Sequence, residues 1–232
     1  MSGVAESYRR HLELVSAAAA ACGRPGQVRL VAVSKTFPEP ALREAYAAGA
    51  REFGESRLQE LEAKAAALPA DVVWHLIGHL QANKVRPAVR RAAWIHSVDS
   101  VELLRRIDRI AGEEGRSPRL LLEVNVSGEA SKHGLTPAAA LAAGEAVAAC
   151  AHGRVVGFMT MAPYEAGEAE LRRVFGGLRQ LREAAERSWG RPLPELSMGM
   201  SGDFGIAIAE GATLVRIGTA IFGGRTACLP PA

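Results

Sequence analysis

Three features of the sequence predict an α/β protein built as one (β/α)8 TIM barrel with an extra N-terminal helix. Short apolar segments rich in β-branched residues alternate with helical ones. Eight such repeats fit within 232 residues, and unusual polar residues recur at the carboxyl end of the predicted strands. Alternation of this kind gives a parallel sheet, and eight repeats at this length close it into a barrel. An open doubly wound sheet is the alternative, but no Gly-x-Gly-x-x-Gly follows the first strand. No linker or shift in composition divides the chain, so residues 1–232 are expected to form one domain.

The elements follow in order. Residues 4–22 carry Tyr8, Leu12 and Val15 at helical spacing, and Gly23, Pro25 and Gly26 end that helix. Strand one is the run 30–36, closed by Pro38 and Pro40, with the continuous apolar pattern of a strand covered on both faces. Residues 40–48 are helical up to Gly49. A strand over 50–53 leads through Gly54, Glu55 and Ser56 into a helix that Pro69 stops. Strand three spans 72–77, followed by Gly78-His79 and a helix over 82–91. Strand four spans 94–97, with Asp99 or Ser97 as the cap of a helix reaching Ala111. Strand five covers 119–126, and a polar loop over 127–134 precedes a helix with Thr136 as cap and Pro137 first. Strand six is 154–159, a long helix covers 165–188, and strand seven is the brief 195–197. A helical stretch over 206–210, strand eight over 213–217 and a short helix opened by Gly218-Thr219 complete the eight repeats.

Bulk properties narrow the function. Hydrophobic content of 48% and charged content of 23% are those of a water-soluble globular domain. The net charge of +3 comes from arginines scattered along predicted helices, and aromatics make up only 5%. That is not the clustered basic and aromatic surface of a nucleic-acid binder. Cys22, Cys150 and Cys228 lie far apart without CxxC spacing, which argues against a disulfide framework or a zinc site and for a reducing cytoplasm. No signal peptide is visible at the N-terminus, and the alanine run 17–21 is too short to span a membrane.

The chemistry gathers at the strand ends, which form the active face of such a barrel. Lys35 closes predicted strand one. Desolvation there lowers the pKa of an amine and lets it attack a carbonyl to form a Schiff base; alternatively, the stem lies along the strand and the head reaches solvent. The chain has four lysines, Lys35, Lys64, Lys84 and Lys132, against 24 arginines. A lysine kept at this position is therefore needed as an amine, which arginine cannot supply. Glu55, Ser56, His79, Asn83, Asn125, Ser127, Met159, Thr160, Ser201 and Arg216 stand at or beyond other strand ends. Gly218-Thr219 joins strand eight to a helix, where amides and a hydroxyl converge as for a phosphate, and Ser201 lies in the neighbouring loop. An amine facing a phosphate site suits a ligand with an aldehyde at one end and a phosphate at the other. Pyridoxal phosphate fits, and so does a phosphosugar.

Several segments carry a resemblance: Val31-Ala32-Val33-Ser34-Lys35-Thr36, Phe53-Gly54-Glu55, Trp74-His75-Leu76-Ile77-Gly78-His79-Leu80-Gln81 with Asn83-Lys84, and His96-Ser97-Val98-Asp99. Val124-Asn125-Val126-Ser127-Gly128-Glu129, Ser131-Lys132, Gly157-Phe158-Met159-Thr160-Met161, Leu196-Ser197-Met198-Gly199-Met200-Ser201 and the run from Val215 to Gly223 continue it. Together they cover nearly the whole chain and resemble the pyridoxal-phosphate homeostasis proteins, whose barrel is similar to the N-terminal domain of alanine racemase, the fold-type III arrangement. The resemblance implies a Schiff base between Lys35 and pyridoxal phosphate. It implies a phosphate held by Ser201, Gly218 and Thr219, and Arg216 facing the pyridine nitrogen. Ser56, His79 and Met198 complete the cofactor-binding set that it implies. Two departures stand out: the family commonly has asparagine where this chain has Ser56, and Gly202 replaces an often larger or acidic residue.

Arginine stays charged and only donates, so a ring nitrogen facing Arg216 remains unprotonated and the ring is a weaker electron sink. Alanine racemases add a tyrosine base from a C-terminal domain, for which a chain ending at Ala232 has no room. Tyr8, Tyr46 and Tyr164 have no recognisable role in such chemistry. The expectation is a monomeric, cytoplasmic carrier that buffers pyridoxal phosphate in vitamin B6 homeostasis and delivers it to apo-enzymes, with no membrane or nucleic-acid partner, no metal site and no catalytic residue. The alternative is a racemase-like enzyme with His79 or Lys84 as base; a Schiff-base aldolase for a phosphosugar is a third reading. Lys84 and Lys132, in polar loops near the expected mouth, are either solvated or take the cofactor in transit.

Overall fold

The computed structural model describes residues 3–129 and 132–224. Eight parallel strands, β1 (Arg29–Val33), β2 (Glu52–Glu55), β3 (Val73–Leu76), β4 (Trp94–Val98), β5 (Arg119–Glu123), β6 (Arg154–Met159), β7 (Glu195–Ser197) and β8 (Leu214–Ile217), close into a barrel in sequential order. Helices α2 (Glu39–Ala47), α3 (Leu58–Ala67), α4 (Val85–Arg91), α5 (Val101–Glu113), α6 (Pro137–Ala142), α7 (Gly144–Ala148), α8 (Glu168–Trp189), α9 (Phe204–Ala209) and α10 (Thr219–Phe222) surround it. The extra helix α1 (Val4–Ala21) packs on α2, α9 and α10, across the seam where the first and last repeats meet. Tyr8, Val15 and Ala19 are its buried face.

Period-two alternation divides the strand residues between two cores. Leu30 and Ala32 of β1, Leu120 and Leu122 of β5, and Leu196 of β7 face the helices. Val31, Trp94, Leu121, Met159 and Leu214 form a separate cluster inside the barrel. Polar residues share that interior with them, and they prove central to the site.

Local chemistry explains several boundaries. Strand one ends at Val33 instead of running to Thr36, so Lys35 lies two residues beyond it. Strand five stops at Glu123 and keeps only a bridge between Val124 and Leu135. Asn125 turns the chain there: its side chain accepts from Gly128 N at 2.9 Å and donates to Glu129 O at 2.8 Å. Ser100, not Ser97 or Asp99, caps α5 by accepting from Leu103 N at 3.2 Å. Thr136 caps α6 as its sequence predicts, accepting from Ala139 N at 3.2 Å. The expected helix over 82–91 begins as a 3₁₀ turn, Ala82–Lys84. Cys22 and Cys150 are free thiols, and Cys228 and Ser131 lie outside the described residues. Among the described residues no helix is long and apolar enough to cross a membrane.

Candidate functional site

The carboxyl ends of β1, β7 and β8 form one corner of the barrel mouth. Val31 and Arg216 are register partners on β1 and β8, so the turn carrying Lys35 rises beside the turn carrying Gly218 and Thr219. Lys35 is exposed, and the desolvation expected at a strand end is absent because the chain has already left the sheet. Thr36 takes a left-handed φ of 69°, an unfavourable region for a β-branched side chain. Its amide donates to Glu60 Oε2 at 2.7 Å, which holds the turn. Beneath it, Lys64 donates to Ser34 O at 2.8 Å, to Glu55 Oε1 at 2.7 Å and to Glu60 Oε2 at 3.1 Å. Ser34 adds a hydroxyl bond to Glu55 Oε1 at 2.6 Å, while Glu55 Oε2 is buried without a hydrogen-bond partner. Burial raises the pKa of Glu55 against these bonds. The amine of Lys35 thus stands on a buried, ion-paired base.

The phosphate-type corner is assembled from two loops. Thr219 Oγ1 donates to Ser201 Oγ at 3.2 Å, and Ala220 N lies 3.5 Å from the same oxygen. Gly218 lets this turn lie on β1: a Cβ there would stand 3.1 Å from Val33 O. Gly199, at φ 92°, permits the preceding turn, in which Arg216 N donates to Gly199 O at 3.0 Å. Asp203 accepts from Met200 N and closes that loop. Gly202 is exposed with open space around it. Met198 is wholly buried in the core between sheet and helices, so it supports the loop from below.

Inside the barrel a polar chain runs downward from Arg216. Its guanidinium donates from Nη1 to Ser197 Oγ at 2.6 Å and from Nη2 to Thr160 O at 3.0 Å. Ser197 Oγ lies 2.9 Å from His96 Nδ1, His96 Nε2 lies 2.9 Å from His75 Nδ1, and His75 Nε2 meets Glu52 Oε2. Arginine only donates and the Glu52 carboxylate only accepts, so with neutral imidazoles every bond between them points toward Glu52 and Ser197 gives its proton to His96 Nδ1. His96 therefore carries its proton on Nε2 and donates to His75, which carries its proton on Nε2 and donates to Glu52. The chain is one-directional with both imidazoles neutral. Burial agrees: it lowers the pKa of His75, and burial, the repulsion that a proton on His75 would exert and the Arg216 charge lower that of His96 further. Burial also pulls Arg216 down to about 10. At the foot, Glu52 lies 3.7 Å from Arg29, which pairs with Glu195 at 2.7 Å. Burial raises the Glu52 pKa, but the bond from His75 and the Arg29 charge outweigh it.

The remaining expected residues lie across the mouth. Ser56 is half-buried, and its backbone touches Gly78, where a Cβ would come within 2.2 Å of Ser56 O. With Lys84 and His79, Ser56 lines a small cleft of about 200 Å³. His79 pairs with Asp99 at 3.1 Å and stacks on His133 with ring centroids 4.4 Å apart. Asp99 and burial push Glu123, at the end of β5, up to about 7, burial being the larger cause. Asn125 and Ser127 bond within their own loop, at 3.1 Å to one another. Lys132 pairs with Glu129.

Reading the sequence singles out Arg216 but not the roles of His75, His96 and Ser197 behind it. Their signal was a polar residue at an inward-facing strand position, which the apolar runs around them obscure. Glu60 and Lys64 look like an ordinary helix-surface pair, and only the fold buries Lys64.

Comparison with known proteins follows this geometry. The family described as "Alanine racemase, N-terminal domain" matches residues 12–226. A "Pyridoxal phosphate homeostasis protein" of Pseudomonas aeruginosa is 44% identical over 230 residues, covering 97% of each chain. One of Aquifex aeolicus is 40% identical over 222 residues, covering 95% of this chain and 97% of that one. The solved structure of PipY from Synechococcus elongatus with PLP bound is 44% identical, with a TM-score of 0.81 over 90% of this chain and 100% of that one.

Proposed function

Because the chain belongs to the pyridoxal phosphate homeostasis proteins, a family built on the alanine racemase N-terminal domain, we propose that it binds pyridoxal phosphate and buffers it for other proteins. The cofactor is held as a Schiff base on Lys35. Bound there, pyridoxal phosphate supplies an electrophilic carbon to an amine and an electron-withdrawing ring. Ser201, Gly218 and Thr219 hold the phosphate through hydroxyls and the open backbone at α10. Arg216 faces the ring nitrogen and, being only a donor, keeps it unprotonated. Ser56 and His79, which line one cleft across the mouth, would contact the cofactor, and Met198 acts through the loop it supports. The protein works as one domain, a monomer in the cytoplasm, and passes its cofactor to apo-enzymes.

The observation that carries this reading is the convergence of three groups at adjacent strand ends: an exposed amine after β1, paired hydroxyls at the β7 and β8 turns, and a buried cation between them. Among the described residues this buried guanidinium bonds Ser197 and Thr160 and forms no direct ion pair with a carboxylate, which suits a neutral acceptor such as a ring nitrogen. The test is an absorption spectrum of the protein beside Lys35→Ala, before and after borohydride. We expect a yellow band in the parent, lost in the variant and fixed to Lys35 on reduction. A parent that stays colourless with added pyridoxal phosphate defeats the reading. Racemase-like turnover is the second reading. His79, already engaged by Asp99 at 3.1 Å, is a poorly placed base for it. Loss of the α-deuteron from labelled amino acids at about 1 per second or faster would favour the enzyme.

A further inference from the structure

At the opposite end of the barrel from Lys35, where the strands begin, a cleft of about 350 Å³ lies between the end of α4 and the starts of β5 and β6. Arg90, Arg91, Arg116, Arg119 and Arg154 line it, and among the described residues no carboxylate does. The geometry points to an anion-binding site for a compact oligophosphate, a run of phosphoryl groups either free or carried by a nucleotide.

Arg119 and Arg154 are register partners on adjacent parallel strands. Their stems therefore rise side by side at the strand spacing of roughly 4.8 Å, and like charges so placed repel. Elsewhere this chain places carboxylates beside its arginines: Glu39 with Arg43, Asp71 with Arg51, Glu168 with Arg172, Glu170 with Arg173. In the cleft, Arg90 is held by Glu114 at 2.7 Å, but among the described residues Arg91, Arg116, Arg119 and Arg154 form no ion pair, and Arg119 acts on the Glu52 carboxylate only at longer range. The carboxyl ends of α4 and α5 attract cations and account for Arg90, Arg91 and Arg116. They do not account for Arg119 beside Arg154. An anion between the two forks relieves that repulsion.

The donors available there select the ligand. Ala93 N donates to Trp74 O, Arg119 N to Ala93 O and Arg154 N to Pro118 O, each at 2.9 Å, so these backbone amides are spent. Recognition falls to guanidinium forks, which match phosphoryl oxygens two at a time. Arg119 lies 5.1 Å from the centroid of the Trp94 ring, which limits its freedom. The volume is at the lower end of the range for small-molecule sites, and a single phosphate would leave most of the forks unused. Hence more than one phosphoryl group is required.

The test is calorimetric titration of sodium tripolyphosphate into protein saturated with pyridoxal phosphate, at near-physiological salt. One site is expected, weakened about tenfold or more in Arg119→Ala/Arg154→Ala, as loss of bonds to a charged group implies. Arg116→Ala/Arg154→Ala, which spares the Trp94 stack, should weaken it similarly. Arg9→Ala/Arg10→Ala removes the same charge from α1 and should leave binding unchanged. Absence of binding, or equal weakening by the α1 pair, overturns the proposal. So does a single-stranded oligonucleotide that binds where tripolyphosphate does not.

Discussion

Ser197 Oγ stands 2.6 Å from Arg216 Nη1 and 2.9 Å from His96 Nδ1, on opposite sides of one hydroxyl. Among the described residues that serine is the hydrogen-bond acceptor of Nη1, and its proton completes the chain of donors that runs through His96 and His75 to Glu52. The orientation of the cation at the mouth therefore depends on a residue from β7 and on imidazoles from β3 and β4.

Ser197→Ala removes the acceptor from Arg216 and the donor from His96. We expect affinity for pyridoxal phosphate, followed by absorbance titration, to fall about tenfold, the cost of one bond to a charged group. Ser197→Thr, which restores the hydroxyl, should recover much of it. Equal affinity in the alanine variant would show that Arg216 is positioned by Thr160 O alone.

Glu123, only 5% exposed, has its pKa pushed up to about 7, against 4.5 for an ordinary glutamate. The folded protein therefore holds a proton there between those values that the unfolded chain has lost. Stability from this group is complete below about 4.5 and is lost as pH rises to about 7. Glu123→Gln cannot titrate, so it should gain up to about 3 kcal/mol on the parent between pH 5 and pH 8. Urea denaturation at the two pH values measures this; identical differences at both would refute it.

Lys64 neutralises Glu55, whose side chain is 0% exposed. Lys64→Met strands that carboxylate, and a loss of about 3 kcal/mol in urea denaturation is expected. Adding Glu55→Leu should recover part of the loss. If the double variant is no better than the single, packing of the lysine stem rather than charge holds the pair in place.

Thr36 carries its strain at φ 69°. Thr36→Gly should raise stability by up to about 1 kcal/mol, the relief from the left-handed region offset by glycine's greater unfolded entropy. A lower melting temperature in that variant would mean the threonine side chain contributes more than its backbone costs.

The barrel was legible because its repeats are regular: every predicted strand is present, and Thr136 caps its helix as written. Strand ends were less legible, because pairing partners set them. β1 stops after Val33, which pairs with Gly54, and Asn125 draws the chain off β5 by bonding its own loop. The mouth was partly legible, since Lys35, Ser201 and Thr219 each follow a strand and Arg216 lies near the end of one. The interior chain was not. His96 and Ser197 are 101 residues apart, and only closure of the barrel brings them together. The arginines of the lower cleft are equally dispersed and read in sequence as scattered solubilising charge.

The four lysines have a practical consequence. Lys64 is buried beside Ser34, while Lys35, Lys84 and Lys132 lie in turns after β1, β3 and β5, all at the same end of the molecule. Amine-directed reagents will therefore label this protein with a polarity. Side-chain coupling to a resin or dye will orient nearly every copy with its mouth toward the attachment and its arginine-lined base outward.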